Sequence, residues 1–295
     1  MQNNINPSRI AICMITRYPE WYSGEPRSNR NIDKIRGDLA LQTISASVQR
    51  GYQTVVTYSS NDDEFNQKLH KIDGVVKIKR TAAKRAPAKR LAMVAASKIP
   101  GVEAIITTEA EKLSFVTDCI LPVAQPLVQK TADIVIPMRK PALFRKTYPD
   151  YMYASEVDAN SLYNEELRAY GLIPPDHLGF DLFFGPRAVR NEPHLVGLFL
   201  KQFHFTGAVL SDIQLEYDPE DYSNTQFFPI IEAFIKGYKV VGVEVPFTYP
   251  FSQKRNEEKG ARDLFVKKRE AQKIAVLTEL MHYLRLRPRK KNHTN

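Results

Sequence analysis

The chain is poor in the residues that build disulfide and zinc scaffolds. Among 295 residues it has two cysteines, Cys13 and Cys119, and six histidines. Each cysteine lies in an apolar run, the setting of a buried reduced thiol rather than of a bridge in a secreted protein. The histidines show no paired spacing suited to zinc, and His204, in KQFHF, reads as structural. No segment approaches the roughly 18 consecutive apolar residues of a membrane span. Met1 to Arg9 is polar and lacks the charged-then-apolar layout of a secretory leader, so a cytoplasmic location is expected. There is no internal repeat and no low-complexity linker. Glycine is missing where a phosphate cradle would need it. The first strand pattern, Arg9 to Thr16, runs into Thr16-Arg17-Tyr18-Pro19, and no glycine appears before Gly24. That counts against a glycine-rich loop whose backbone N–H groups wrap phosphates.

What the chain has in excess is positive charge, a net +9. One basic run, Lys77 to Arg90, contains Lys77, Lys79, Arg80, Lys84, Arg85, Lys89 and Arg90. A second, Arg285 to Lys291, lies at the C-terminus and reads as a disordered tail over 286–295. Such a balance attracts phosphates, nucleic acid or an anionic membrane surface, and composition does not choose among them.

Apolar runs and helical spacings alternate through the first 140 residues. Strands are expected at Arg9–Thr16, Gln53–Tyr58, Gly74–Ile78, Val102–Thr107 and Ala132–Pro137. Helices are expected between them at Asp33–Arg50, Glu64–Ile72, Ala88–Lys98 and Ser114–Leu121, the last stopping near Pro122. This order predicts an α/β fold with a mainly parallel sheet sandwiched by helices. Ligands of such sheets sit beyond the carboxyl ends of the strands. Thr16–Arg17, Ser59–Asp63, Arg80–Lys89 and Thr108–Glu111 are therefore expected around one crevice. The second half is less regular. It shows helices at Ser161–Tyr170, Gln226–Lys236 and Ala261–Leu284, a strand at Lys239–Pro246, and an aromatic approach to a Gly-Pro break in Asp181–Val189. A single domain over 1–285 is expected, with 9–140 as a nucleotide-sugar-binding half and 141–285 as an acceptor-binding half.

The order of six segments, Ile12–Thr16, Ser59–Asp63, Lys84–Arg90, Thr107–Glu111, Gly185–Arg190 and Gly237–Pro246, resembles the family 2-like glycosyltransferases of the GT-A, nucleotide-diphospho-sugar transferase type. The resemblance spans Arg9 to Pro250. It implies a nucleoside diphosphate sugar as donor and an acceptor hydroxyl, on a saccharide, a small molecule or a lipid-linked group. Where that family has Asp-x-Asp to hold Mn²⁺ or Mg²⁺, this chain has Glu109-Ala-Glu111. Two carboxylates at a strand end can hold a hard divalent cation with substrate phosphates completing its shell. Thr108-Glu-Ala-Glu111 also has the form of a capping box, with Thr108 at the N-cap and Glu111 three residues on. Both readings stand at this level.

Transfer of a sugar requires a neutralised leaving diphosphate and an oriented donor, and in an inverting enzyme a base as well. Lys84, Arg85, Lys89 and Arg90 are the candidates for the diphosphate, against a solvated helix face. Thr16, Arg17, Asp62 and Asp63 are the candidates for the nucleotide's base and ribose, against ordinary turn formers. Glu156 and Asp158, after the aromatic stretch Tyr148–Tyr153, are candidate bases, and so is Asp181, which the resemblance places near the acceptor. Ser252, Lys254 and Arg255 are expected in a loop that could close over the diphosphate. Three rivals remain. One is a sugar nucleotidyltransferase, against which the missing glycine loop counts. One is a non-enzymatic nucleic-acid binder, against which stands the lack of a recognisable nucleic-acid module. The last is a degenerate member of the same fold, kept open by Glu in place of Asp. The basic tail could dock on an anionic membrane.

Overall fold

The computed structural model describes residues 5–28, 31–59, 63–80, 84–204, 219–259 and 262–285. Seven strands form one sheet: β1 (Ile10–Thr16), β2 (Gln53–Tyr58), β3 (Val75–Lys79), β4 (Ala104–Thr107), β5 (Ile134–Arg139), β6 (Arg187–Arg190) and β7 (Val240–Val245). Their order is β3-β2-β1-β4-β6-β5-β7. Every pairing is parallel except those of β6, which runs antiparallel between β4 and β5. The expected mainly parallel α/β sheet is thus observed, with one reversed strand that the sequence pattern did not announce.

The central strands β1 and β4 are apolar at every position but the last, a buried threonine in each, because both of their faces are covered. Ile10, Ile12 and Met14 of β1 enter the core on one face of the sheet, while Ala11 and Cys13 enter the other. The first face is covered by α1 (Ile32–Gln49), α2 (Asp63–His70), α4 (Leu113–Asp118), α5 (Ile120–Val128) and α6 (Pro141–Thr147), through Ile44, Phe65, Phe115, Val123 and Phe144. The second is covered by α3 (Arg85–Ser97), α7 (Asp150–Ala169), α8 (Pro193–Leu200), α9 (Ser223–Gln226), α10 (Phe228–Ile235) and α12 (Arg262–Arg285), through residues such as Met93, Tyr163, Phe199, Phe228 and Leu280. A short helix, α11 (Phe251–Lys259), links β7 to α12. Cys13 and Cys119 are both buried free thiols, and burial pushes both above the ordinary thiol range.

Several expectations are corrected here. The helix expected to stop at Pro122 breaks instead at Cys119, and a second helix carries Pro122 in its first turn, where a missing N–H costs no intrahelical bond. The helix expected from Ser161 begins eleven residues earlier, at Asp150, because Met152, Glu156, Ala159, Tyr163 and Leu167 form one buried stripe. Ser252, Lys254 and Arg255, expected in a loop, lie on α11. Thr108 caps no helix: α4 starts only at Leu113, with Lys112 at its N-cap, and the Thr108 hydroxyl donates to the Glu109 carbonyl at 3.4 Å. The tail over 286–295 lies outside the described residues, as does Asp62.

A buried carboxyl lies where α12 crosses α9. Glu279 is 3% exposed and accepts a hydrogen bond from the Ser223 hydroxyl. Burial, opposed by Ser223 and aided by Asp221, raises its pKa to about 7. A carboxyl raised above its unfolded value favours the protonated fold. Its contribution is complete below the unfolded pKa of about 4.3 and is lost as pH rises through 7. Glu279→Gln is expected to gain stability relative to the native chain between pH 5 and pH 8, on the order of 3 kcal/mol. Urea midpoints measured at the two pH values check this, and parallel shifts for both proteins would refute it.

Candidate functional site

At the carboxyl ends of β1, β3 and β4 the helices part to leave a cleft of about 380 Å³. β1 delivers Thr16, Arg17 and Tyr18 to it, the end of β3 delivers Arg80, and the turn after β4 delivers Glu109, Glu111 and Lys112. Lys84 stands at the N-cap of α3, and Arg85 and Lys89, one turn apart on that helix, face inward. The far wall comes from later in the chain: Glu156 of α7, Gly185, Tyr222, and Lys268 and Arg269 of α12.

Glu109 is placed by a close backbone approach. A Cβ on Gly185 would stand 1.9 Å from the Glu109 Oε1. The turn carrying Gly185 is pinned by Arg187, a guanidinium only 1% exposed, which donates to the carbonyls of Leu182, Phe184, Pro186 and Gln226. Burial lowers the Arg187 pKa to about 10, opposed by Asp181 and Glu109. Lys112 lies over the rings of Phe184 (4.9 Å) and Phe247 (5.1 Å), and its Nζ is 3.8 Å from the Glu109 Oε2. That separation makes an ion pair but no hydrogen bond.

The electrostatics follow from this crowding. Burial works to raise the Glu109 carboxyl, but Lys112 and Lys89 overcome it and hold the pKa below the usual range. Lys89 is pushed down to about 8, first by burial and then by Arg85, Arg187 and Lys112, against the pull of Glu109. Neither Lys89 nor Arg85 has an ion-pair partner among the described residues. Glu111 is a separate group: it accepts from the Tyr18 hydroxyl and faces Arg36. Among the described residues three cleft atoms, Thr16 Oγ1, Arg36 Nε and Glu109 Oε2, are buried with no hydrogen-bond partner. A folded chain rarely leaves such groups unmatched, and their gathering at one cleft marks a place prepared for a polar ligand.

Of the residues expected at the site, the fold brings together Thr16, Arg17, Lys84, Arg85, Lys89, Glu109, Glu111 and Glu156. Asp63 opens α2 at the surface, away from the cleft lining. Arg90 turns from the cleft and is buried against Glu220, with Nη1 to Oε1 at 3.0 Å. The three candidate bases are all engaged in ion pairs. Asp181 lies outside the lining and accepts from Arg139 Nε (2.7 Å) and Nη2 (2.6 Å) and from Asn160 Nδ2 (2.9 Å). Burial would raise its pKa, but Arg139 prevails and lowers it. Asp158 is at the surface, paired with Lys273 at 2.9 Å. Glu156 does face the cleft, held between Arg139 (2.6 Å) and Arg269 (3.2 Å). Sequence reasoning missed Arg36, Lys112, Lys268 and Arg269. Lys112 alone carried a local signal, three residues after Glu109; the others arrive from distant helices.

No protein-family model matches the chain, and no curated protein matches it in sequence. Solved structures do align over most of its length. The chain is similar to the 4-diphosphocytidyl-2C-methyl-D-erythritol synthase of Anaerococcus prevotii, at 13% identity and TM-score 0.41 over 83% of this chain and 88% of that one. It is also similar to the inositol-1-phosphate CTP transferase of T. maritima, at 12% identity and TM-score 0.40 over 86% and 98% of the two chains. A third likeness is to the glucosyl-3-phosphoglycerate synthase of M. tuberculosis, at 12% identity and TM-score 0.39 over 82% and 72%.

Proposed function

We propose that this chain is a GT-A-type glycosyltransferase that moves a sugar from a nucleoside diphosphate sugar to an acceptor hydroxyl. The observation that carries the reading is the pairing of unsatisfied and cationic groups at the strand ends. Among the described residues Thr16 Oγ1 and Glu109 Oε2 have no hydrogen-bond partner, and Arg85 and Lys89, which line the same cleft, have no ion-pair partner. In the reaction the bond from the sugar's anomeric carbon to the diphosphate oxygen breaks, and its electron pair leaves with the diphosphate. A bond from that carbon to the acceptor oxygen forms, and the acceptor proton is released. Cations fixed beforehand at the leaving oxygens lower the barrier because the charge grows there. Arg85 and Lys89 are set one helical turn apart to meet the two phosphates. Thr16 and Arg17, at the end of β1, are assigned to the nucleoside. Of the three carboxylates considered as a base, Glu156 alone has a place at the cleft, where Arg139 and Arg269 both pair with it. The reading includes a cytoplasmic location. Among the described residues no helix is long and apolar enough to cross a membrane.

A divalent cation fits one position. Glu109 Oε2, which accepts no hydrogen bond among the described residues, can serve as its one carboxylate ligand, and Gly185 leaves the space for that carboxylate; Glu111 is engaged by Tyr18 and Arg36, so substrate phosphates would complete the shell. Bound there, Mn²⁺ or Mg²⁺ would supply charge neutralisation of the diphosphate.

The test is a thermal-shift panel of UDP, GDP, ADP and CDP, each with Mn²⁺ and with chelator. One base is expected to stabilise the protein by about 2.7 kcal/mol at a hundredfold excess over its Kd. Its sugar derivative is expected to be consumed with release of the nucleoside diphosphate. Release of pyrophosphate from a nucleoside triphosphate would overturn the reading in favour of nucleotidyl transfer, and silence across the panel would sink both. Glu109→Gln gives opposite signs in the two conditions. The gain from Mn²⁺ should vanish, whereas with chelator the diphosphate should bind more tightly, because Lys89 and Lys112 are freed of their carboxylate. If the Mn²⁺ gain survives, Glu109 holds no metal.

Gly185→Ala probes the same carboxylate sterically. The new Cβ meets the far end of a flexible side chain, so the unfolding midpoint should stay within about 0.5 kcal/mol of the native chain. Affinity for the diphosphate with Mn²⁺ should fall about tenfold, near 1.4 kcal/mol. A calorimetric titration that finds native affinity would show that Glu109 need not sit where it does.

A further inference from the structure

The helix α11 is built inside out. Its buried residues, Gln253, Asn256 and Glu257, are all polar. They tie it to the body of the protein: Glu257, fully buried, accepts from Arg36 Nη2 and Gln253 Nε2 at 3.0 Å and from the Tyr249 hydroxyl at 2.9 Å. The helix has one large apolar residue, Phe251, and it is 77% exposed. Phe251, Arg255 and Lys259 lie four apart and are all exposed, so they form one outward stripe. Folding alone does not select that arrangement, because a phenylalanine left in water forgoes the burial that stabilises a fold.

The next helix, α12, shows the same feature. Its inward side carries Phe265, Val276 and Leu280. Its outward side carries Leu264, Lys267, Ala271 and Ile274, spaced three and four apart and all exposed, with Leu264 at 61% and Ile274 at 52%. The inward sides of the two helices meet at Arg36, which bonds Glu257 of α11 and lies 5.7 Å from the ring of Phe265 of α12. Their exposed stripes therefore share the outer side of one helical pair. That side borders the cleft. Pro250 and Gln253, next to Phe251, line it, and so does Phe265, next to Leu264.

A lone exposed apolar residue needs no explanation. Here such residues are set among cations. Between residues 251 and 268 the exposed bases are Arg255, Lys259, Arg262, Lys267 and Lys268, and the exposed acid is Asp263. Glu258 pairs with Lys254 at 3.8 Å, and the two residues joining the helices, Gly260 and Ala261, carry no charge. The core of a protein interface is depleted of lysine. Apolar side chains bordered by Lys and Arg instead suit the headgroup layer of an anionic bilayer, where the charges meet lipid phosphates and the apolar groups reach the acyl boundary.

We propose that the outer side of α11 and α12 docks on an anionic lipid bilayer, with Phe251 and Leu264 entering it and Arg255, Lys259, Arg262 and Lys267 meeting its headgroups. Docked in this way, the protein holds the rim of its cleft at the lipid surface. The inference does not rest on the reaction proposed above.

The experiment is co-sedimentation of the full-length protein with vesicles of phosphatidylcholine, alone or mixed with phosphatidylserine. Native protein is expected to be retained by the mixed vesicles, and to be released from them by high salt. Phe251→Ser should weaken retention about tenfold, and Arg255→Gln with Lys259→Gln in one chain should weaken it by a similar factor. Leu178→Ser, at an exposed leucine outside the two helices, should bind like the native chain. Absence of retention on mixed vesicles would overturn the proposal. So would native retention of Phe251→Ser, which would move the binding elsewhere, to the basic 286–295 segment first. Two further measurements on Phe251→Ser address other occupants of the face. Its urea midpoint should match the native one, and a lower midpoint would show that the chain itself covers Phe251, against the proposal. Its molar mass by light scattering should also match, and a native oligomer that the variant dissociates would give the face to a second copy.

Discussion

Replacing Lys89 by methionine is expected to weaken nucleoside diphosphate binding by roughly 10- to 100-fold, the worth of one charge-assisted hydrogen bond at about 1.5–3 kcal/mol. The fold should not suffer. Burial already works against the Lys89 charge and lowers its pKa to about 8, so removing the ammonium removes a strained group. A calorimetric titration against the native chain, with a denaturation curve for each protein, separates the two effects. The same shift fixes a pH dependence. Lys89 loses its proton as pH rises through about 8, so with chelator present the affinity of the native protein should fall above that value. Lys89→Arg should retain its affinity at higher pH, because a guanidinium stays charged. Native affinity in Lys89→Met would remove this lysine from the donor site.

The second large effect is on stability. Arg139, its side chain 0% exposed, holds Glu156 at 2.6 Å and Asp181 at 2.6 Å, and its guanidinium lies 3.5 Å from the centre of the Phe144 ring. Arg139→Met would leave two carboxylates buried with their main counter-ion gone. Such a loss costs about 3–5 kcal/mol, which should appear as a much lower urea midpoint. Adding Asp181→Asn and Glu156→Gln to the same chain should recover part of it, since neutral amides need no counter-ion. Asp181, with its pKa depressed, stabilises the fold above its unfolded value of about 3.9, and that contribution is lost as pH falls through the folded value. The Arg139→Met protein should therefore show less acid sensitivity than the native chain between pH 5 and pH 2. A midpoint within about 1 kcal/mol of native would show the triad to be incidental.

The triad also explains why the candidate bases misled. Asp181, Glu156 and Asp158 carry the right chemistry in sequence, and Asp181 stands beside a Gly-Pro turn that resembles an acceptor region. Nothing local reveals that Arg139, 42 residues upstream, claims Asp181, or that Lys273 of α12 claims Asp158. The cations at the strand ends were easier to find. Arg85 and Lys89 stood in one basic run after a strand, and α3, expected only from Ala88, begins at Arg85 and so carries both one turn apart. Glu109 was legible through the resemblance, in which Glu109-Ala-Glu111 stands in the place of Asp-x-Asp after the fourth strand. The cap reading of Thr108 and Glu111 failed because the chain continues the ladder instead, with the Thr108 N–H donating to the Cys13 carbonyl at 3.0 Å.

Strands buried on both faces write themselves as β-branched and apolar runs with few polar breaks, and β1, β2, β4 and β5 could be read for that reason. The helices between them followed from glycine stops and 3.6-residue spacing. β6 could not be read. Arg187-Ala-Val-Arg190 has too few apolar residues to signal a strand, and Arg187 is buried only because four backbone carbonyls from a folded turn receive it. Nor does α7 declare itself, since its aromatic start suits a strand until Met152, Glu156 and Tyr163 are drawn into one stripe by packing. Local order, the parallel sheet and the cationic edge are short-range properties of the chain, set by periodicity within one element. Which charges remain free at the cleft depends on partners supplied by α1, α7 and α12, whose distances along the chain leave no mark in any single segment.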